Sequence, residues 1–389
     1  MKNISALLFA ATTVVACVGQ PDDPGTGGGD DTMGSGSGSN PVDEWDTLLE
    51  QRVVDYPAAL RIAALRLTGD LPTMDETASI TNAADDAGKK TAYETLIRAY
   101  MERPTFARQM FYFWRDTFKM GGGMNGEFDT APAFAAQLSA ENRSYMELFT
   151  TATNNCPTFA EDTGVFTPAN CPGTGPQAGV ITNSGAMKLY YGNFAFRRVR
   201  WVQETFDCTK FPAEVGAPQA VGGAAPYNGV WPFASISGLD TGRVNFQDVS
   251  AVVCANCHQT LNHSAPLFAN YDDEGVYQQT ISVSTPLDGA PMAQLTDYLP
   301  AGETTAWRFG KPAATLVEYG AAMAADPSIA KCGVARMWNW ALGKTDIVDT
   351  LMEVPVETIQ TQLDAFTANG FKMKDLIYSV YTSDDFVKF

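Results

Sequence analysis

Residues 254–258 read Cys254-Ala255-Asn256-Cys257-His258, and the rest of the chain is read outward from this pentapeptide. Two thiols three positions apart lie on one face of a helical turn, where each can form a thioether to a haem vinyl group, and the adjacent imidazole then faces the iron. The chain has 7 cysteines and 2 histidines in 389 residues. At that composition the pattern arises by chance on the order of once in a thousand chains. Cys254 and Cys257 are therefore the expected attachment points of one covalent haem c, with His258 as its proximal ligand.

A helical turn at the motif agrees with the period elsewhere, which is mostly 3.6. Residues 46–67 read as one helix, stopped by Thr68-Gly69-Asp70-Leu71-Pro72; Thr73 begins a short helix, and residues 91–102 form another. Pro104 stands where a new helix starts, and residues 106–118 make an aromatic helix suited to a core rather than to a cofactor. Residues 131–151 are expected to be one long helix and 184–208 a helical pair; 315–325, 327–342, 355–369 and 374–386 supply further helices. Residues 154–179 and 212–243 lack a period and read as irregular. The expected fold is mainly α, an irregular multi-helix body with long loops and a c-type haem-binding module. Its parts are an N-terminal helical module at 42–211, the haem module at 212–300 and a C-terminal helical module at 301–389.

Met1 and Lys2 precede an apolar run over residues 4–16, the length of a signal-peptide core rather than a membrane span. It closes on Val14-Val15-Ala16-Cys17, which resembles the lipobox of bacterial lipoproteins, so residues 1–17 read as a leader and Cys17 as the lipid anchor. An ordinary signal peptide cut near Ala16 is the alternative. Residues 18–41 are Gly, Ser, Asp and Pro with almost nothing apolar; such a composition cannot bury a core and reads as a flexible tether. Val18 in place of Asp favours the outer membrane in the sorting pattern of some Gram-negative bacteria. A net charge of −18 argues against nucleic acid and against electrostatic attraction to anionic lipid.

Setting aside Cys17, Cys254 and Cys257 leaves Cys156, Cys171, Cys208 and Cys332, an even remainder that suits two disulfides in an exported protein. Of three pairings, Cys156 with Cys171 is favoured because it closes a loose segment at a gain of roughly 3 kcal/mol, leaving Cys208 with Cys332. Free buried thiols are the alternative.

Several further phrases resemble the planctomycete-type cytochrome c proteins, envelope proteins of planctomycetes, myxobacteria and relatives. Leu65-Arg66-Leu67-Thr68-Gly69-Asp70-Leu71-Pro72-Thr73 is similar to the family's opening, and Arg103-Pro104-Thr105-Phe106-Ala107 with Trp114 to its next phrase. Gly179-Val180-Ile181-Thr182-Asn183 and Arg197-Arg198-Val199-Arg200-Trp201-Val202 resemble the segment before the haem module, which itself resembles residues 254–275. Trp338-Asn339-Trp340-Ala341-Leu342-Gly343-Lys344 and residues 371–389 are similar to the closing module. Where the family commonly has Asp-Pro-hydrophobic-Gly, this chain has Asn262-His263-Ser264-Ala265. The resemblance implies a haem protein without an established substrate.

The sixth iron ligand is open to several readings. Met292, on an irregular stretch, has a separation typical of methionine-ligated cytochromes, while His263 lies only five residues after His258 and so on the proximal side. An open site would admit peroxide and make the haem catalytic. Zinc held by Cys254, Cys257, His258 and His263, or a Cys254–Cys257 disulfide, is the haem-free alternative. Arg197, Arg198 and Arg200 could meet haem propionates, although a solvated or salt-bridged helix face is the plainer reading. With both histidines near the motif, a Ser-His-Asp hydrolase has little room. The function these residues indicate is electron transfer in the cell envelope by a lipid-anchored mono-haem protein with a redox partner. A haem peroxidase, or a surface scaffold for a ligand such as polysaccharide, are the alternatives.

Overall fold

The computed structural model describes residues 44–121, 126–210, 246, 252–284, 291–308, 311–344 and 354–389, with the backbone alone at 44–46, 193, 252–257 and 259. The chain divides into two units, Met1–Gln51 and Arg52–Phe389. Helix α1 (Glu44–Glu50) belongs to the first, and all that follows concerns the second.

Helix starts in this unit follow capping chemistry. Asp55 accepts from the Ala58 amide at 3.0 Å and Pro57 occupies the first turn of α2 (Tyr56–Thr68). The helix expected across 46–67 is therefore two, because Val53 and Asp55 are extended and exchange backbone hydrogen bonds with Val387 and Phe389. Thr73 and Glu76 form a reciprocal capping box for α3 (Met74–Thr81). Asp85 caps α4 (Asp86–Tyr100), which begins earlier than its period suggests. Pro104 opens α5 (Pro104–Phe118).

Helix α5 buries Phe106, Met110, Phe111, Phe113, Trp114 and Phe118, each worth about 1.5–3 kcal/mol of apolar transfer, against α6 (Thr130–Ala140). The Trp114 indole N–H donates to Ser139 Oγ at 2.9 Å, so the one polar atom of that ring is satisfied inside the core. The long helix expected over 131–151 breaks here. Asn142 adopts a left-handed φ of 52°, the Tyr145 amide donates to Phe371 O at 2.7 Å, and the helix resumes only as α7 (Glu147–Thr150). A small antiparallel hairpin follows, β1 (Thr158–Ala160) with β2 (Val165–Thr167), inside the loop closed by the Cys156–Cys171 disulfide.

Next come α8 (Ser184–Leu189), α9 (Phe196–Phe206) and α10 (Val252–Phe268). After α11 (Leu295–Tyr298), strands β3 (Ala306–Arg308) and β4 (Lys311–Pro312) pair antiparallel. Then α12 (Leu316–Ala324), α13 (Pro327–Ala341), α14 (Val356–Ala368), α15 (Met373–Tyr381) and α16 (Asp384–Val387) complete the unit. The helix expected over 374–386 is thus divided by Thr382 and Ser383. A second disulfide joins Cys208, just after α9, to Cys332 in α13, so both bridges follow the pairing favoured from sequence. The fold is mainly helical, and no described helix is long and apolar enough to cross a membrane.

Candidate functional site

The Cys254–His258 motif lies in the first turns of α10, and the elements around that helix fix the surroundings of His258. The chain enters α9 through Phe194 and Ala195, two successive non-glycine residues with φ of 56° and 60°. Each such conformation costs on the order of 1–2 kcal/mol, so the surrounding packing has to hold them. This entry sets Phe194 and Phe196 against the ring of Phe246, at centroid distances of 4.8 and 4.9 Å. His258 completes the group, stacking on Phe246 at 4.9 Å and meeting Phe196 edge-on at 5.0 Å.

One turn along α10, Asn262 determines which imidazole nitrogen carries the proton. Its amide Nδ2 donates to the Phe246 carbonyl at 2.7 Å, and a carbonyl can only accept. The amide oxygen therefore faces His258, where it lies 3.0 Å from Nδ1. Nδ1 must be the donor, which leaves Nε2 of the neutral ring unprotonated. Phe246 is itself held, its amide donating to Asp297 O at 2.7 Å. Burial pushes the His258 pKa below its ordinary value, and the Asn262 bond only partly offsets this, so the ring is neutral at neutral pH. A neutral imidazole whose second nitrogen donates to a fixed acceptor is the arrangement that metal-ligating histidines adopt.

His263 turns elsewhere. Five residues on, it is displaced roughly 140° around the helix, and its Nε2 lies 3.2 Å from Glu303 Oε2. The two imidazoles thus take part in separate hydrogen bonds. Among the described residues no group of three or more His, Cys, Asp or Glu side chains could hold a metal ion. Met292 is 55 % exposed just before α11. The side chains of Cys254 and Cys257 lie outside the described residues, as do Cys17 and residues 18–41 and 212–243, which were expected to be a tether and an irregular stretch.

The far end of α10 is held by Arg198, for which neither the propionate nor the solvated-face reading applies. This side chain is fully buried. Nε and Nη2 donate to Met187 O at 3.0 and 2.6 Å, Nη1 to the carbonyls of Phe268 and Tyr271 at 2.9 and 2.8 Å, and Nη2 also to Asp272 O at 3.0 Å. A guanidinium thus satisfies the last carbonyl of α10 and complements the negative end of that helix. The turn that follows places Gly275 at φ +72°, where a Cβ would lie 2.1 Å from Ser184 O. Arg200 does follow the salt-bridge reading, bonding Glu204 at 2.7 Å. The spacing of Asn262 from His258, one helical turn, was a sequence signal for the first arrangement; nothing local announces Arg198.

Comparison with protein-family models, curated proteins and solved structures gives no significant match.

Proposed function

We propose that this chain is a lipid-anchored, mono-haem c-type electron-transfer protein of the cell envelope, resembling the planctomycete-type cytochrome c proteins. The observation that carries the proposal is the hydrogen-bond chain from the Phe246 carbonyl through Asn262 to His258 Nδ1. Asn262, locked by the Phe246 carbonyl, holds the Nδ1–H tautomer and leaves Nε2 available, in a residue that directly follows Cys257. The donor set fits haem c: Cys254 and Cys257 would bind it covalently and His258 would ligate the iron, with Met292 as the candidate distal ligand. When bound, haem c supplies one-electron redox chemistry.

The chain's own contribution is orientation and exclusion of water. Phe196 and Phe246 cover two sides of the imidazole and lower the local dielectric. Asn262 keeps the proton on Nδ1 and prevents ring rotation. Arg198 fixes the end of the same helix, so the ligand rides on an element held at both ends. The redox partner is expected to carry basic groups at its docking face, given the net charge of −18.

The test is maturation of the full chain in a host with a cytochrome c assembly system, followed by the pyridine haemochrome spectrum. A thioether-type spectrum that disappears in Cys254→Ala/Cys257→Ala supports the proposal. A colourless protein from the same host, or one containing zinc, overturns it.

A further inference from the structure

Directly after Phe196, helix α9 presents Arg197 and Arg200 to a cavity of about 270 Å³, which Tyr190, Trp201, Lys119 and Arg336 also line. Four cations gather here on a chain whose net charge is −18. Glu204 is the one carboxylate among the lining residues, and it is bonded to Arg200 Nε at 2.7 Å. Arg197 is exposed; its Nη1 donates to Tyr191 O at 3.1 Å, and it has no acidic partner among the described residues. Arg197 therefore brings to the cleft a positive charge beyond the Arg200–Glu204 pair.

Its wall is aromatic. Tyr190 and Trp201 stack with centroids 5.1 Å apart and planes 16° from parallel, and the Tyr190 hydroxyl is fixed by donating to Phe118 O. Trp201 is 4 % exposed, and its indole N–H finds no acceptor among the described residues. A buried unpaired donor is costly, and a ring that lines a cavity can have it satisfied by what enters. The volume suits a small molecule rather than a peptide or a haem.

We infer that this cleft binds a small organic carboxylate with a flat apolar body, the carboxylate held by Arg197 and Arg200 and the body lying against Tyr190 and Trp201. Arginine forks match a carboxylate geometrically, and an aromatic wall adds apolar contact that a purely inorganic anion could not use.

The experiment is isothermal titration of the full chain with benzoate, with acetate and inorganic phosphate as comparison probes. Benzoate should bind at least roughly tenfold more tightly than acetate, because one anionic group is common to both and only benzoate has a body to bury. Arg197→Gln should weaken benzoate roughly tenfold, the loss expected for a charge-assisted contact, while Arg61→Gln on the exposed side of α2 leaves it unchanged. Thermal melts confirm that both variants fold. Benzoate binding no tighter than acetate, phosphate binding tighter than benzoate, or an Arg197→Gln affinity equal to the parent would each overturn the assignment.

Discussion

Replacing Asn262 by leucine tests the argument for His258 most directly. The side chain keeps its branching at Cγ but loses both an acceptor and a donor, so the His258 Nδ1–H and the Phe246 carbonyl lose their partners together. An unsatisfied buried group costs about 1–3 kcal/mol, and because this site is only part-buried the lower half of that range applies to each. The sum is about 2–4 kcal/mol, which in a unit spanning Arg52–Phe389 lowers Tm by roughly 3–6 °C. Ring tautomers are read from the nitrogen-15 spectrum, which holds only two histidines. The parent should show His258 as the Nδ1–H form, Asn262→Leu a mixture, and Asn262→Asp the Nδ1–H form again, since a carboxylate still accepts from Nδ1 although it cannot donate to Phe246. If Asn262→Leu melts within 1 °C of the parent and its tautomer is unchanged, the account of how Nε2 is freed is wrong.

Arg198→Met should cost at least about 3–5 kcal/mol in urea unfolding, because it strands the carbonyls of Met187, Phe268, Tyr271 and Asp272; a loss below about 1 kcal/mol would contradict the role given to it. Asp326 is buried, which alone would raise its pKa, but hydrogen bonds from Lys311, Trp307 and the Ser328 amide and the charge of Arg308 bring it from 3.8 down to about 2. Its contribution is full above about pH 4 and is lost as pH falls toward 2; after solvent screening it amounts to about 1–2 kcal/mol, and Asp326→Asn should flatten that part of the stability profile. Of the two disulfides, Cys208–Cys332 spans 124 residues and Cys156–Cys171 spans 15, so paired Cys→Ala removal should cost about 4–5 and about 3 kcal/mol respectively in chain-entropy terms, with equal losses arguing against that origin.

What the sequence revealed of the fold was whatever local chemistry encodes. The Thr73–Glu76 box, Pro104 at a helix start and the aromatic face of α5 were each visible in a window of a few residues. The breaks at 51–55 and 142–144 were not, because each is enforced by backbone pairing with a segment more than 200 residues away: Val387 and Phe389 in one case, Phe371 and Lys372 in the other. The hairpin β1–β2 was hidden by strands of three residues, too short to establish a period. At the candidate site the motif was legible; the role of Asn262 was not, because which nitrogen of His258 carries the proton is decided by the Phe246 carbonyl that fixes the Asn262 amide. Phe196 and Phe246, which enclose the imidazole, come from separate parts of the chain and meet only through the left-handed turn at Phe194 and Ala195.

The bridge between Cys208 and Cys332 has a topological consequence. It encloses everything from residue 209 to 331, the motif and the whole of α10 included, in one covalent ring. A protease that cuts once anywhere in that ring produces two polypeptides that remain a single molecule until the disulfide is reduced. A nicked protein would therefore run at full length on a non-reducing gel and as two fragments on a reducing one.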